Sequence, residues 1–281
     1  MNNAKMRRSF AGLVSVVALV AAIALVTAGS ASAAPPATVY DSDPGLLKGN
    51  YPSLGFEATG SQEVGGAITL AGSERKVGPL RFVLSSWGCE SGTWNAGNCT
   101  TSPGARFPVD FTATIYSVGP GGSVGSPIIS RSKTLNVPYR PSANAKKCTG
   151  GNAGKWFKGG TENTCYNGKA IRGAIGFGAK TAIPTNSIVA LSYNTTHYGY
   201  DPIGEGASCY GTVAGCGYDA LNVAFTGDAP VVGSQPRPDD AYYSSSFGSN
   251  YCDGGTDGVD VFRLDAGCWT GFQPLLKLTA K

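Results

Sequence analysis

The chain has 281 residues, with 22 basic side chains, 18 acidic ones and a single histidine, for a formal net charge of +4. Three of the cations, Lys5, Arg7 and Arg8, precede residue 34 and no acid does, so the remainder sits near +1. A near-neutral chain with scattered cations lacks the electrostatic footprint of a nucleic-acid binder, and it lacks a polybasic membrane patch.

Taken in chain order, the first 33 residues read as a secretory signal. A basic start precedes the uninterrupted run Leu13–Val26, and Ala31 and Ala33 supply small residues for cleavage before Ala34. The run is shorter than the roughly 18 apolar residues that argue for a membrane span. No cysteine sits at the cleavage point, so the expected product is secreted, with no membrane insertion after cleavage. Residues 34–281 are expected to form a single domain.

That remainder is rich in glycine (41 in the chain), and turn-forming residues interrupt it about every ten positions, the rhythm of short strands. The first expected strand is "GAITLAG". In "PLRFVLSSW", Leu80, Phe82 and Leu84 share one face. In "RFPVDFTATIY", Phe107, Val109, Phe111, Ala113 and Ile115 point one way, and Pro108, Asp110, Thr112 and Thr114 the other. The "GGSVG" of Gly121–Gly125 resembles a nucleophile elbow around Ser123. It joins two strand-like segments, though, so it reads as a hairpin tip. "KTLNVPY" puts Leu135, Val137 and Tyr139 in phase, and "AIRGAIGFG" aligns Ile171, Ile175 and Phe177 around Gly173. "NSIVALSYNTTHYG" aligns Val189, Leu191 and Tyr193, a phase that continues to Thr195 and His197. His197 is therefore expected to brace the end of a core strand structurally. "DALNVAFTG", "VDVFRLD" and "LLKLTAK" complete roughly nine strands. Strands wet on one face and apolar on the other stack as two sheets. The predicted fold is all-β, an antiparallel β-sandwich of jelly-roll-like or immunoglobulin-like kind.

Eight cysteines in an exported chain argue for disulfides. They fall into successive pairs, Cys89–Cys99, Cys148–Cys165, Cys209–Cys216 and Cys252–Cys268, each bracketing a glycine- or asparagine-rich stretch. The last pair encloses an apparent strand, which would let it tie neighbouring strands. Zinc-ligand spacing is absent.

Candidate site residues are few. Trp94, Trp156 and Trp269 sit inside or beside the cysteine-bracketed loops, where exposed indoles would stack on sugar rings. The competing expectation is that each covers its disulfide. Trp94 and Trp156, flanked by Gly, Asn and Lys, are the better candidates for exposure. "DGGTDGVD" gathers Asp253, Asp257 and Asp260, hard oxygens of the kind calcium takes, on what is also ordinary turn chemistry. No other cofactor is expected. Glu57, Glu63, Glu90, Asp201, Glu205, Asp239 and Asp240 could supply a glycosidase pair, but spacing alone does not pick two of them.

"GNYPSLGFEATG", "SSWGCESGTW", "NVPYRPSA", "SYNTTHYG" and "FRLDAGCWTGFQP" together resemble a family of exported, cysteine-containing bacterial proteins, mostly Gram-positive and hypothetical in function. The resemblance covers about Val39 to Ala280. It implies export and one β-rich domain, and it carries no catalytic residues. The leading expectation is a non-enzymatic extracellular module whose partner is a polysaccharide or cell-envelope surface. The alternatives are a secreted hydrolase with a carboxylate pair and a purely structural extracellular protein.

Overall fold

The computed structural model describes residues 35–94, 96–194 and 221–281. The signal-like segment, Thr195, His197, Asp201, Glu205 and the Cys209–Cys216 pair lie outside the described residues. The described chain is all-β, with two antiparallel sheets closing on one continuous hydrophobic core.

The first sheet is organised around β4 (Val77–Ser86). On one side β4 pairs with β9 (Lys169–Gly176). On the other side it pairs first with β15 (Leu276–Ala280) and then, further along, with β11 (Leu221–Thr226). β15 also carries β1 (Ala37–Asp41), so the two ends of the described chain are hydrogen-bonded neighbours. β11 carries the short β2 (Ser53–Gly55) and β14 (Gln273–Pro274).

The second sheet has six strands in the order β13 (Arg263–Ala266), β12 (Asp240–Ser245), β3 (Ser61–Thr69), β10 (Asn186–Ser192), β5 (Arg106–Val118), β6 (Val124–Pro138). β7 (Trp156–Lys158) and β8 (Thr164–Tyr166) form a separate small hairpin.

The alternating residues read from sequence are the core. Leu80, Phe82 and Leu84 face Phe107, Val109, Phe111, Ala113 and Ile115 across the sandwich, and Val189, Leu191 and Tyr193 join them. The Phe82 and Phe111 rings meet 5.5 Å apart and link the sheets, while Phe56 stacks on Tyr193 at 4.1 Å. Full burial of each such side chain contributes roughly 1.5–3 kcal/mol. Gly173 has no side chain because Phe82 takes the space: a Cβ there would lie 2.3 Å from the ring. Residues Gly119–Ser123 turn the β5–β6 hairpin, with the Ser123 hydroxyl donating to the Pro120 carbonyl at 2.9 Å. Ser123 is thus a turn residue on a strand–turn–strand hairpin.

Two expectations need correction. The strand count is larger than nine, because short segments such as β2, β7, β8 and β14 pair over only two or three residues. "VDVFRLD" is a strand only from Arg263. Val259 and Val261 are exposed, and the chain before Arg263 is a glycine-rich loop with positive φ at Gly254, Gly255, Gly258 and Asp260. The alternation of Val259 and Val261 mimics a strand without a neighbouring strand to complete it.

Candidate functional site

A groove at one flank of the sandwich is built by the chain leaving β6. β6 is the last strand of its sheet, and β9 flanks β4 in the other sheet. The two run close together, and the Lys133 ammonium donates across the gap to the Ala174 carbonyl at 3.3 Å. β6 stops at Pro138, and Pro141 follows three residues on. Prolines offer no N–H to a ladder and hold the chain extended, so "PYRPS" leaves the sheet as a strap.

The strap is tied to the loop closed by Cys89–Cys99. Arg140 N–H donates to the Gly88 carbonyl at 2.9 Å, Ala143 N–H to the Cys99 carbonyl at 2.8 Å, and Thr101 N–H to the Ser142 hydroxyl at 2.9 Å. Its far end is tied to the loop closed by Cys148–Cys165, where Asn144 N–H donates to the Lys155 carbonyl at 2.9 Å. The strap, the loop closed by Cys148–Cys165 and the segment that follows Cys99 therefore make the walls.

Between them lies a cleft of about 420 Å³. Tyr139 and Phe157 present half-buried rings there. Thr101, Ser102, Ser142 and Asn144 supply polar atoms, and Arg106 and Lys169 supply charge. A second cleft of about 340 Å³ shares Arg106 and Pro138 with the first and runs along β6 and β9 past Lys133, Leu135 and Ile171. The two form one groove. Burial, and then the nearby Arg106 guanidinium, push the Lys169 ammonium below its ordinary pKa. Burial, and then Glu90, raise the Tyr139 phenol. The Glu90 carboxylate accepts the Ser102 N–H at 2.5 Å on the groove rim.

Arg140, in the strap between Tyr139 and Pro141, is 0 % exposed. Its Nη2 donates to the Gly154 carbonyl at 2.8 Å and its Nε to the Pro141 carbonyl at 3.4 Å, while Nη1 has no partner among the described residues. No carboxylate pairs with it there. Burial lowers its pKa to about 10, which leaves it charged at neutral pH.

Of the two readings of the tryptophans, burial holds for Trp156 and Trp269, and Trp94 lies between. Trp156 is 7 % exposed, with its indole N–H donating to the Gly168 carbonyl at 2.7 Å. Trp269 is 6 % exposed and donates to Asp265 Oδ2 at 2.7 Å while packing edge-on to Tyr243. Trp94 is half-buried, meets Trp87 in a T-shaped contact at 4.7 Å, and has a buried N–H with no partner among the described residues. Each covers a loop too poor in aliphatic side chains to order itself. Trp156 still contributes to the lining of the cleft.

The acidic loop is likewise committed elsewhere. Both oxygens of Asp253 accept from Arg263 Nη2, at 2.8 and 2.9 Å, and also from the N–H groups of Gly255 and Asp257. The Asp257 N–H foremost, and then Arg263, hold this carboxyl at about pKa 2. Asp260 accepts from Gln62 at 2.6 Å, and Asp257 is exposed. A calcium ion would have to compete with a guanidinium for Asp253, and the three aspartates are not among the metal-ligating side chains that converge in the described residues. Among the described residues, the metal-ligating side chains that do converge are Cys252, Cys268 and Asp265, and the two sulfurs are bonded to each other.

The carboxylate candidates scatter. Glu63 accepts from the Tyr116 hydroxyl at 3.0 Å, and burial raises its pKa. Asp239 accepts from the Thr270 hydroxyl at 2.6 Å, and Asp240 pairs with Arg237 at 2.9 Å. Glu57 lines a different cleft of about 560 Å³ at the end of the second sheet, together with Asp110, Phe56 and Tyr193. Asp110, on the wet face of β5, was not among the sequence candidates.

Compared with family models, curated proteins and solved structures, the chain matches none.

Proposed function

We propose that the protein is an exported, non-catalytic module that holds a polysaccharide in the β6–β9 groove. The observation that carries this reading is the lining. Aromatic rings of Tyr139 and Phe157 stand among hydroxyl, amide and charged groups, in a cleft whose walls are fixed by two disulfides. A pyranose ring has apolar faces and a polar rim, and it is recognised by that combination. The disulfides support an oxidising destination, and no helix among the described residues is long and apolar enough to cross a membrane.

Binding is tested with the purified protein on an array of envelope and plant polysaccharides, with reducing-end release measured in parallel. The expected result is retention of a polysaccharide without chain cleavage. The competing hydrolase reading rests on Glu57 and Asp110 sharing one cleft. Cleavage that is abolished by Glu57→Gln would replace the binding reading with it.

Export has its own check. Intact-mass and non-reducing peptide mapping of the protein from culture supernatant should find an N-terminus at Ala34 and a Cys209–Cys216 bond. A chain retaining Leu13–Val26 in a membrane fraction, or a free thiol, contradicts it.

A further inference from the structure

We infer that the polymer held in the β6–β9 groove is an acidic polysaccharide, recognised through carboxylates on its sugar rings. This rests on the polysaccharide reading above and adds a ligand class to it.

The inference comes from charge without counter-charge. Lys169 lines the cleft half-buried, and no carboxylate pairs with it among the described residues; its electrostatic neighbour is another cation, Arg106. The Arg106 Nη1 donates to the Asn136 carbonyl at 2.9 Å and makes no ion pair among the described residues. Further along the groove Lys133 follows the same pattern, donating to a backbone carbonyl. Behind the strap, Arg140 adds a fully buried guanidinium with no carboxylate partner and one unpartnered nitrogen. Glu90 is the nearby acid, and a backbone N–H holds it on the rim.

Away from the groove Arg237 pairs with Asp240 and Arg263 with Asp253, and Arg172, which lines the second cleft, pairs with Asp43. Arg106, Lys133 and Lys169 line the groove without an ion pair among the described residues. A buried charge without a partner is expensive to keep, and its field reaches a neighbouring cleft with little screening.

Edge strands also use lysines to prevent sheet-to-sheet pairing, which would account for Lys133. Lys169, on the edge strand β9, falls under the same rule, but Arg140, which reaches no edge, does not. Spaced cations joined by aromatic surface suit a linear chain of sugar rings with repeating anionic groups, where each charge-assisted hydrogen bond adds to ring stacking.

The test is a titration of the full secreted protein with three probes: polygalacturonate, neutral dextran and poly(glycerol phosphate). The wild type, an Arg106→Gln/Lys169→Gln double variant and a Lys180→Gln control are compared at low and high salt. Lys180 is exposed and lines neither cleft. The expected result is binding of polygalacturonate that weakens with salt, falls about tenfold or more in the double variant, and is unchanged in the control. Equal binding of dextran with no effect of the double substitution would overturn the inference and leave the polysaccharide reading standing. Equal binding of poly(glycerol phosphate), which has no sugar ring, would overturn the assignment to ring carboxylates. Binding of none of the three, with no other polysaccharide retained on the array, would remove both.

Discussion

Replacing Asp265 with alanine is expected to lower the unfolding free energy by about 3–5 kcal/mol, the range for removing one partner of a buried charged network. Asp265 is 1 % exposed. Its two oxygens accept the Cys252 N–H at 3.0 and 3.1 Å, Oδ2 also accepts the Trp269 indole N–H at 2.7 Å, and the Arg263 guanidinium lies 3.9 Å away. One carboxylate thereby joins both ends of the loop closed by Cys252–Cys268 and orients the tryptophan that packs on Tyr243. Alanine leaves the buried Trp269 indole N–H and the half-buried Cys252 N–H without their acceptor, and a cavity beside them. Asp265→Asn keeps an acceptor and should lose less. Urea unfolding checks both: the midpoint should drop while the slope is retained. A loss under about 1 kcal/mol for Asp265→Ala would show that the network is not what orders the loop.

Removing the Cys89–Cys99 bond is expected to lower stability by about 3 kcal/mol, from the chain entropy released on opening a loop of this length. The paired substitution Cys89→Ala/Cys99→Ala suits the test, because both sulfurs are buried and serine would leave buried hydroxyls. The change should be local in structure as well. Ser91 and Thr100 exchange backbone hydrogen bonds across the loop, and Ala143 N–H donates to the Cys99 carbonyl. Amide exchange at Ser91, Thr100 and Ala143 should speed up more than at β4 or β5, where the core holds the ladder. Groove affinity should fall with it, since Thr101 and Ser102 form one wall. Unchanged exchange at these amides would mean that the strap orders the loop without the disulfide.

Where one face of a strand was wet, its period of two was visible. β5 and the first half of β4 are legible for that reason: their apolar residues alternate with exposed ones and fill the core. β10 was found from Val189, Leu191 and Tyr193 although Ile188 and Ala190, on its other face, are buried too. Strands covered on both faces have no such period. In β12 the adjacent Tyr242 and Tyr243 are both fully buried, on opposite faces in separate hydrophobic clusters, so "DAYYSS" shows no alternation. β1 is hidden for a related reason, since Val39 and Tyr40 are consecutive and both buried. Its partner, β15, lies more than 200 residues away in sequence, a separation that no local pattern encodes.

The groove was legible only in fragments. Tyr139 was read as a core-phase residue, and Lys133 shares that phase two positions before Leu135, a cation where the alternation demands an apolar group. That mismatch was the available signal. Arg140 gave none, because an arginine between tyrosine and proline reads as solvent-facing until the strap is seen to be covered by two loops. The tryptophans allowed two readings, exposed platform or loop cover, and for Trp156 and Trp269 burial is the one seen. Glycine- and asparagine-rich neighbours indicate a loop, but a stapled loop short of aliphatic residues orders itself by burying its indole.

Hydrogen–deuterium exchange of the full protein, with and without a saturating bound polysaccharide, tests the groove most directly. Protection is expected at residues 101–106, 133–144, 156–158 and 169–174, which are distant in sequence and meet only along the β6–β9 flank. Protection confined to residues 56–62, 110–112 and 192–194 around Glu57, with none on that flank, would contradict the account and place binding in the other cleft.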